Sequence, residues 1–171
     1  MNPSFIEPSP ITLIDEAYEE VRRIAHNLMP HSLEHLGLKN ALEQYCRTVM
    51  TSTELTLTLQ IYGLDERLER SIELWVYRII QELVTNVIKH AKATRVLIQL
   101  VYASELLHIT VEDNGNGFVT TEGLKKGNLG LRYLIDRTAY LKGAVTIESE
   151  LGIGSSIVIE LPARPLTQLI K

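Results

Sequence analysis

The chain has 171 residues, about the size of one average domain, and its 45% hydrophobic and 22% charged content excludes a disordered, collagen-like or low-complexity protein. With 17 basic and 21 acidic side chains the net charge is −4, which argues against a nucleic-acid-binding domain. The one cysteine, Cys46, cannot close an internal disulfide, and no stretch approaches the roughly 20 apolar residues of a membrane span; the expectation is a soluble, cytoplasmic piece, with any membrane attachment made through a part absent from this sequence.

Prolines fall at positions 3, 8, 10, 30, 162 and 165, and the long proline-free interval predicts the compact domain. Residues 1–10 read as a disordered leader. Between Ile11 and Met29, Ile14, Ala17, Tyr18, Val21, Ala25 and Leu28 recur at three- and four-residue steps. That spacing predicts an amphipathic helix ended by Pro30, and its apolar stripe needs a partner surface. Ser32 is placed to cap a short turn, and Leu38 to Met50 reads as a second helix. Glu54 to Tyr62 alternates Leu, Leu, Leu and Ile with Thr and Gln, the pattern of a half-buried strand. Ser71 to Ala91 predicts a long helix, and Arg95 to Tyr102 with Glu105 to Glu112 a hairpin. Asp113 to Asn128 is a glycine-rich loop that feeds a helix over Leu129 to Leu141. Two last strands, Ala144 to Glu150 and Ser155 to Leu161, flank the turn Gly152-Ile153-Gly154, and residues 163–171 read as a tail. Helices alternating with mostly antiparallel strands imply an α+β two-layer sandwich.

Two segments carry chemistry. On a helical wheel of about 100° per residue with Glu82 at zero, Asn86, Lys89 and His90 fall within about 80° of it. The apolar residues Val76, Ile79, Ile80, Leu83, Val84, Val87 and Ile88 cover the other side. A solvated surface face explains such a stripe by itself. Against it stand a poor helix former, Asn86, in mid-helix and the complementarity of the set. Asn86 offers a hard amide oxygen suited to Mg²⁺, Lys89 a charge for phosphate, and Glu82 a carboxylate that accepts a proton or positions water. The second segment holds glycines 115, 117, 123, 127 and 130 within sixteen residues, after an apolar strand and ahead of a helix. Hairpin turns need only two to five residues. A long glycine-rich loop ending at a helix N-terminus suits an anion, because amides and dipole favour negative charge there, and Lys125 and Lys126 add to that. A mobile surface loop accounts for the spacing equally well.

Taken together, four segments resemble known motifs. Gln81-Glu82-Leu83-Val84-Thr85-Asn86-Val87-Ile88-Lys89-His90-Ala91 resembles the N box of the GHKL ATPases in its sensor-histidine-kinase form. Asp113-Asn114-Gly115-Asn116-Gly117-Phe118 resembles the G1 box, Asn128-Leu129-Gly130-Leu131 the G2 box, and Gly152-Ile153-Gly154-Ser155-Ser156 the last glycine-rich turn. Glu19 to Pro30 resembles the end of the dimerisation hairpin in kinases with short ATP lids, the subclass that signals to LuxR-type response regulators. The resemblance implies an ATP-binding domain over residues 31–162 of GHKL type, a mixed sheet covered by helices, preceded at residues 11–30 by the second hairpin helix. It implies ATP and Mg²⁺ as ligands, Asn86 as the metal ligand, and Glu82 as an aid to phosphoryl transfer. Lys89 would face the phosphates with His90 beside the nucleotide. Asp113 would accept the adenine amino group, and Ser155, where the family usually has Thr, would join Asp113 through water. Gly115, Gly117 and Gly130, with Asn128, Leu129 and Leu131, would shape the nucleotide loop.

Two departures stand out. Asn128 replaces the first glycine of the G2 pair, although Asn tolerates left-handed backbone better than most residues. The family's phosphoacceptor is a His followed by Asp or Glu, and none of the five histidines has that neighbour. The expectation is therefore a fragment of a longer homodimeric kinase, whose phosphoacceptor hairpin is missing here. His26, Trp75 and Cys46 read as ordinary surface or packing residues. Two other functions stay open: a different GHKL enzyme, such as an anti-sigma-factor serine kinase, and a non-catalytic nucleotide-binding or dimerisation module.

Overall fold

The computed structural model describes residues 30–119 and 129–166. The predicted helix over 11–29 and the loop residues Gly123, Lys125, Lys126, Gly127 and Asn128 lie outside them. In chain order come α1 (His31–Ser52), β1 (Thr56–Tyr62), α2 (Arg70–Asn86) with a π turn (Val87–Ala91), β2 (Arg95–Ala103), β3 (Leu106–Asp113), α3 (Leu129–Tyr140), β4 (Ala144–Glu150) and β5 (Gly154–Pro162). The strands form one sheet in the order β1-β2-β3-β5-β4. β1 and β2 run parallel, and every other neighbouring pair is antiparallel.

Strand alternation decides which face is buried. Leu59, Ile98, Val111, Ile157 and Ile147 lie side by side across all five strands, and Ile61, Leu100, Ile109, Ile159 and Val145 form the next row. On β2, β3 and β5 these residues are almost entirely buried. Buried with them are Trp75, Val76, Ile79, Ile80, Leu83 and Val84 from α2, Leu33, Leu42 and Cys46 from α1, and Leu131 and Leu134 from α3. Each Leu or Ile so buried contributes about 1.5–3 kcal/mol. The opposite face carries Thr58, Glu112, Glu148 and Glu160, all exposed. The result is a sheet with one buried and one solvated face, the two-layer α+β architecture expected from the sequence.

The predicted elements hold to within about two residues, with three differences. α1 begins at His31 but breaks at Gly37, whose φ of 78° no other residue adopts cheaply. The β2–β3 turn places Ser104 and Glu105 both at positive φ, as a type I′ hairpin demands, without the usual Asn-Gly pair. The long helix does not stay α-helical to Ala91: the Thr85 hydroxyl donates to the Gln81 carbonyl at 2.7 Å, and a π turn opens over Val87–Ala91 before Lys92 stops it in left-handed backbone. A hydroxyl bonding back four residues competes with the helical ladder, and β-branched Val84, Thr85, Val87 and Ile88 weaken helix propensity there. The wider turn shifts the wheel. Ile88, assigned by periodicity to the apolar face, is 44% exposed.

Candidate functional site: a cleft between the α2 terminus and two glycine loops

The two ends of the polar stripe each meet a glycine. A Cβ built on Gly130, in the first turn of α3, would lie 2.4 Å from Glu82 Oε1. A Cβ on Gly115 would lie 2.4 Å from the Ala91 carbonyl and 2.6 Å from the Ala91 side chain. Real Cβ atoms do not approach this closely: at Gly115 the obstacle is backbone, so that position requires glycine's bare Cα, and at Gly130 it is the end of the Glu82 side chain, which a methyl group would push aside. The Asn116 amide donates to that same Ala91 carbonyl at 2.7 Å. The segment from Glu82 to Ala91 is thus bracketed, by the start of α3 at one end and by the loop after β3 at the other. Asn86 sits half-buried between the brackets, and Lys89 and His90 are exposed on the π turn. π turns inside helices recur at functional sites.

Asp113 closes β3 and faces Ser155 at the start of β5, as the β3–β5 register requires. Its Oδ1 accepts from the Gly115 amide at 2.8 Å, and its Oδ2 accepts from the Ser155 hydroxyl. Paired strand positions bring these two short side chains together. Gly117 turns at φ 61°, and a Cβ there would strike the Glu150 carbonyl at 2.1 Å. The Phe118 amide donates to Ser149 Oγ at 2.8 Å, and the Gly152 amide to the Asn116 carbonyl at 2.7 Å. The loop after β3 is therefore stitched to the β4–β5 turn on one side and to the end of α2 on the other. Leu129 opens α3, and Leu131 is buried beneath it.

An open groove of about 410 Å³ also lies at this end of the sheet, lined by Glu112, Asp113, Glu148, Ser149, Glu150, Ile153, Gly154, Ser155 and Ser156. It includes no residue of α2, and its carboxylates repel phosphate. The glycine contacts, not this groove, mark where the polar stripe of α2 meets the loop after β3 and the start of α3. Among the described residues no group of three His, Cys, Asp or Glu side chains gathers to hold a metal. The Asn86 amide is a hard oxygen that could serve a cation whose remaining shell comes from phosphates and water, which is how Mg²⁺ is commonly held.

Sequence reasoning missed two features. Asn114, passed over as part of an Asn-Gly turn signal, bonds across the site (below). Glu73, 2% exposed, is clamped by Arg67, whose Nε and Nη2 donate to it at 2.6–3.0 Å. A carboxylate inside an amphipathic helix gives no sequence signal of burial, because its partner lies in a preceding loop.

Residues 71–165 match the family described as histidine kinase-, DNA gyrase B-, and HSP90-like ATPases. The chain belongs to this ATPase family. It is 32% identical over 150 residues to the signal transduction histidine-protein kinase/phosphatase DegS of Brevibacillus brevis, covering 88% of this chain and 39% of that protein. It is 31% identical over 157 residues to the sensor histidine kinase MctS of Rhizobium johnstonii, covering 89% of this chain and 33% of that protein. The chain thus spans a third to two fifths of these relatives' length. The histidine kinase AdeS of Acinetobacter baumannii superposes with a TM-score of 0.62 at 17% identity, over 92% of this chain and 86% of that one. At that identity the superposition speaks to the fold alone, and it agrees with the ATPase-domain architecture. No helix among the described residues is long and apolar enough to cross a membrane.

Proposed function

We propose that this chain is the ATP-binding catalytic part of a two-component sensor histidine kinase. It passes the ATP γ-phosphoryl to a histidine on a dimerisation hairpin, and from there a LuxR-type response regulator receives it. The observation that carries this reading is the double bracket: Glu82 against Gly130 and Ala91 against Gly115, with Asn86 and Lys89 between them and Asp113 at the far edge. The length of the kinase relatives and the absence of a His-Asp or His-Glu pair here support a phosphoacceptor supplied from outside this sequence. We place the working protein in the cytoplasm as a homodimer, joined to a membrane, if at all, through an upstream part.

In this reading each residue has a distinct task. Asp113, oriented by Ser155 and the Gly115 amide, accepts the exocyclic amino group of adenine. Gly115 and Gly117 let the loop backbone approach the nucleotide closely. Lys89 opposes the phosphate charge, with His90 beside it, and the first turn of α3 at Leu129-Gly130 directs amides toward the anion. Asn86 supplies the protein oxygen for magnesium, which when bound neutralises phosphate charge. Glu82, held against Gly130, accepts a proton or orders the attacking group. Phosphoryl transfer needs chiefly positioning and charge neutralisation, and this set provides both.

Titration of the chain with a fluorescent ATP analogue and Mg²⁺ is expected to saturate, and Asn86→Ala and Asp113→Asn are each expected to lower affinity by at least about tenfold, the loss of one metal ligand or one charge-assisted hydrogen bond. Binding that is undiminished in both variants overturns the assignment.

A further inference from the structure

Asp113 and Asn114 are adjacent, but their side chains bond in different ways. Asp113 makes a local turn bond to the Gly115 amide. Asn114 reaches 19 and 20 residues away: its Oδ1 accepts from the backbone amides of Arg95 at 2.9 Å and Thr94 at 3.0 Å. Its Nδ2 donates to Thr94 Oγ1 at 2.9 Å. A plain Asn-Gly turn needs none of these contacts, since an Asx turn is satisfied within its own few residues. Thr94 and Arg95 lie directly after the π turn and its left-handed stop at Lys92. Asn114 therefore ties the segment leaving Asn86, Lys89 and His90 to the strand end that carries Asp113. Two backbone contacts run alongside, from the Asn116 amide to the Ala91 carbonyl at 2.7 Å and from the Asn114 amide to the Arg95 carbonyl at 3.3 Å.

We propose that Asn114 is a positioning residue of the nucleotide site, fixing the distance between the phosphate end at Asn86–His90 and the adenine end at Asp113. The proposal rests on the ATP-binding reading above. It follows from the topology: the two ends belong to α2 and β3, with β2 between them in the chain, and the π turn is the least regular stretch of that path. The amide accepts both backbone N–H groups on its oxygen and donates to the Thr94 hydroxyl through its nitrogen. Asp keeps the two acceptor bonds and loses the donor, whereas Ala loses all three. Asn114, Thr94 and Arg95 are exposed, so in the Ala variant water takes over the freed groups and the fold persists. What changes is the freedom of the π turn relative to Asp113.

A ligand touching both ends feels that freedom, and a ligand touching one end does not. The test compares Mg²⁺–ATP, by calorimetric titration, with AMP in EDTA, by NMR titration, on the 171-residue chain. Asn114→Ala is expected to weaken Mg²⁺–ATP about five- to tenfold, the effect of one or two exposed hydrogen bonds, and AMP less than about twofold. Asn114→Asp is expected to recover most of the loss. Thr94→Val, which removes only the bond from Nδ2, is expected to fall between. An equal loss for both nucleotides, no loss for either, or an Asp variant as poor as Ala overturns the proposal. Wild-type chain that binds neither nucleotide, or an Asp113→Asn variant that binds both normally, overturns the ATP-binding reading and this proposal with it.

Discussion

The two ends of α2 solve opposite problems with charged and polar side chains. At its N-terminal end the helix buries a carboxylate, Glu73, and satisfies it fully. Arg67 grips it through Nε and Nη2, and the Leu68 amide donates to it at 3.1 Å, a reach back over the helix start like that of a capping box. The same guanidinium donates to the Leu33 carbonyl at 3.1 Å, and the Arg67 carbonyl accepts from the Leu166 amide at 2.8 Å. One loop thus joins the first turn of α1, the start of α2 and the stretch after β5. At the C-terminal end the regular helix is abandoned for a π turn, and Lys89 and His90 are left in solvent. Charge that is buried and paired holds elements together, whereas charge that is exposed beside bare glycine backbone is available to a ligand. Both ends are polar in the sequence, and only burial separates their roles.

Substitutions at each end sharpen this contrast. The largest expected effect is on stability, from Arg67→Met. It leaves the Glu73 carboxylate buried without its counter-charge and is expected to cost about 3–5 kcal/mol in urea unfolding. Nucleotide affinity of the folded fraction is expected to stay within about twofold of wild type. A loss of affinity as large as the loss of stability would mean that the two ends act as one unit.

Gly130→Ala is expected to do the reverse. The new methyl meets a flexible carboxylate rather than backbone, so Glu82 swings aside and the global unfolding free energy changes by less than about 1 kcal/mol, with helix propensity partly compensating. Nucleotide binding or phosphoryl transfer is expected to fall about tenfold or more through the displaced carboxylate. Unchanged function with Glu82 displaced would remove Glu82 from the site.

The smallest effect is a pH dependence from the helical layer behind the site. Burial pushes the Cys46 thiol up to about 11 and the Tyr45 hydroxyl up to about 12. Both groups bind their protons more tightly when folded. Their contribution is complete below the unfolded values near 9 and 10, and it is lost as pH rises through the folded ones. Thermal stability is therefore expected to fall gradually from about pH 9 upward, and Cys46 to resist alkylation at pH 8 while the chain is folded. Fast alkylation at pH 8 would show that α1 opens readily from α2.

Much of the molecule was legible residue by residue. The alternation in β1, β2, β3 and β5 gave strand positions and inward faces, because a period of two leaves little choice once one face is apolar. The glycine spacing and the polar stripe on α2 singled out Gly115, Gly130 and Glu82, and the fold sets Gly130 against Glu82 and Gly115 against the end of α2. The π turn was not legible: propensity and periodicity assume a constant turn, and an inserted residue changes the phase from Ile88 onward. Arg67 and Asn114 were illegible for a different reason. Their partners lie 6 to 34 and 19 to 20 residues away, and nothing local to an Arg in a charged run or an Asn before a Gly announces such a bond.

The sequence by itself determined the order of elements, the inward faces and the polar stripe along α2, since these follow from local periodicity and backbone freedom. Tertiary structure alone decided that Glu82 meets Gly130, that Ala91 meets Gly115, and that one carboxylate is buried while its neighbours along the helix are not. Those outcomes depend on sheet register and helix phase, which are set by packing between segments far apart in the chain.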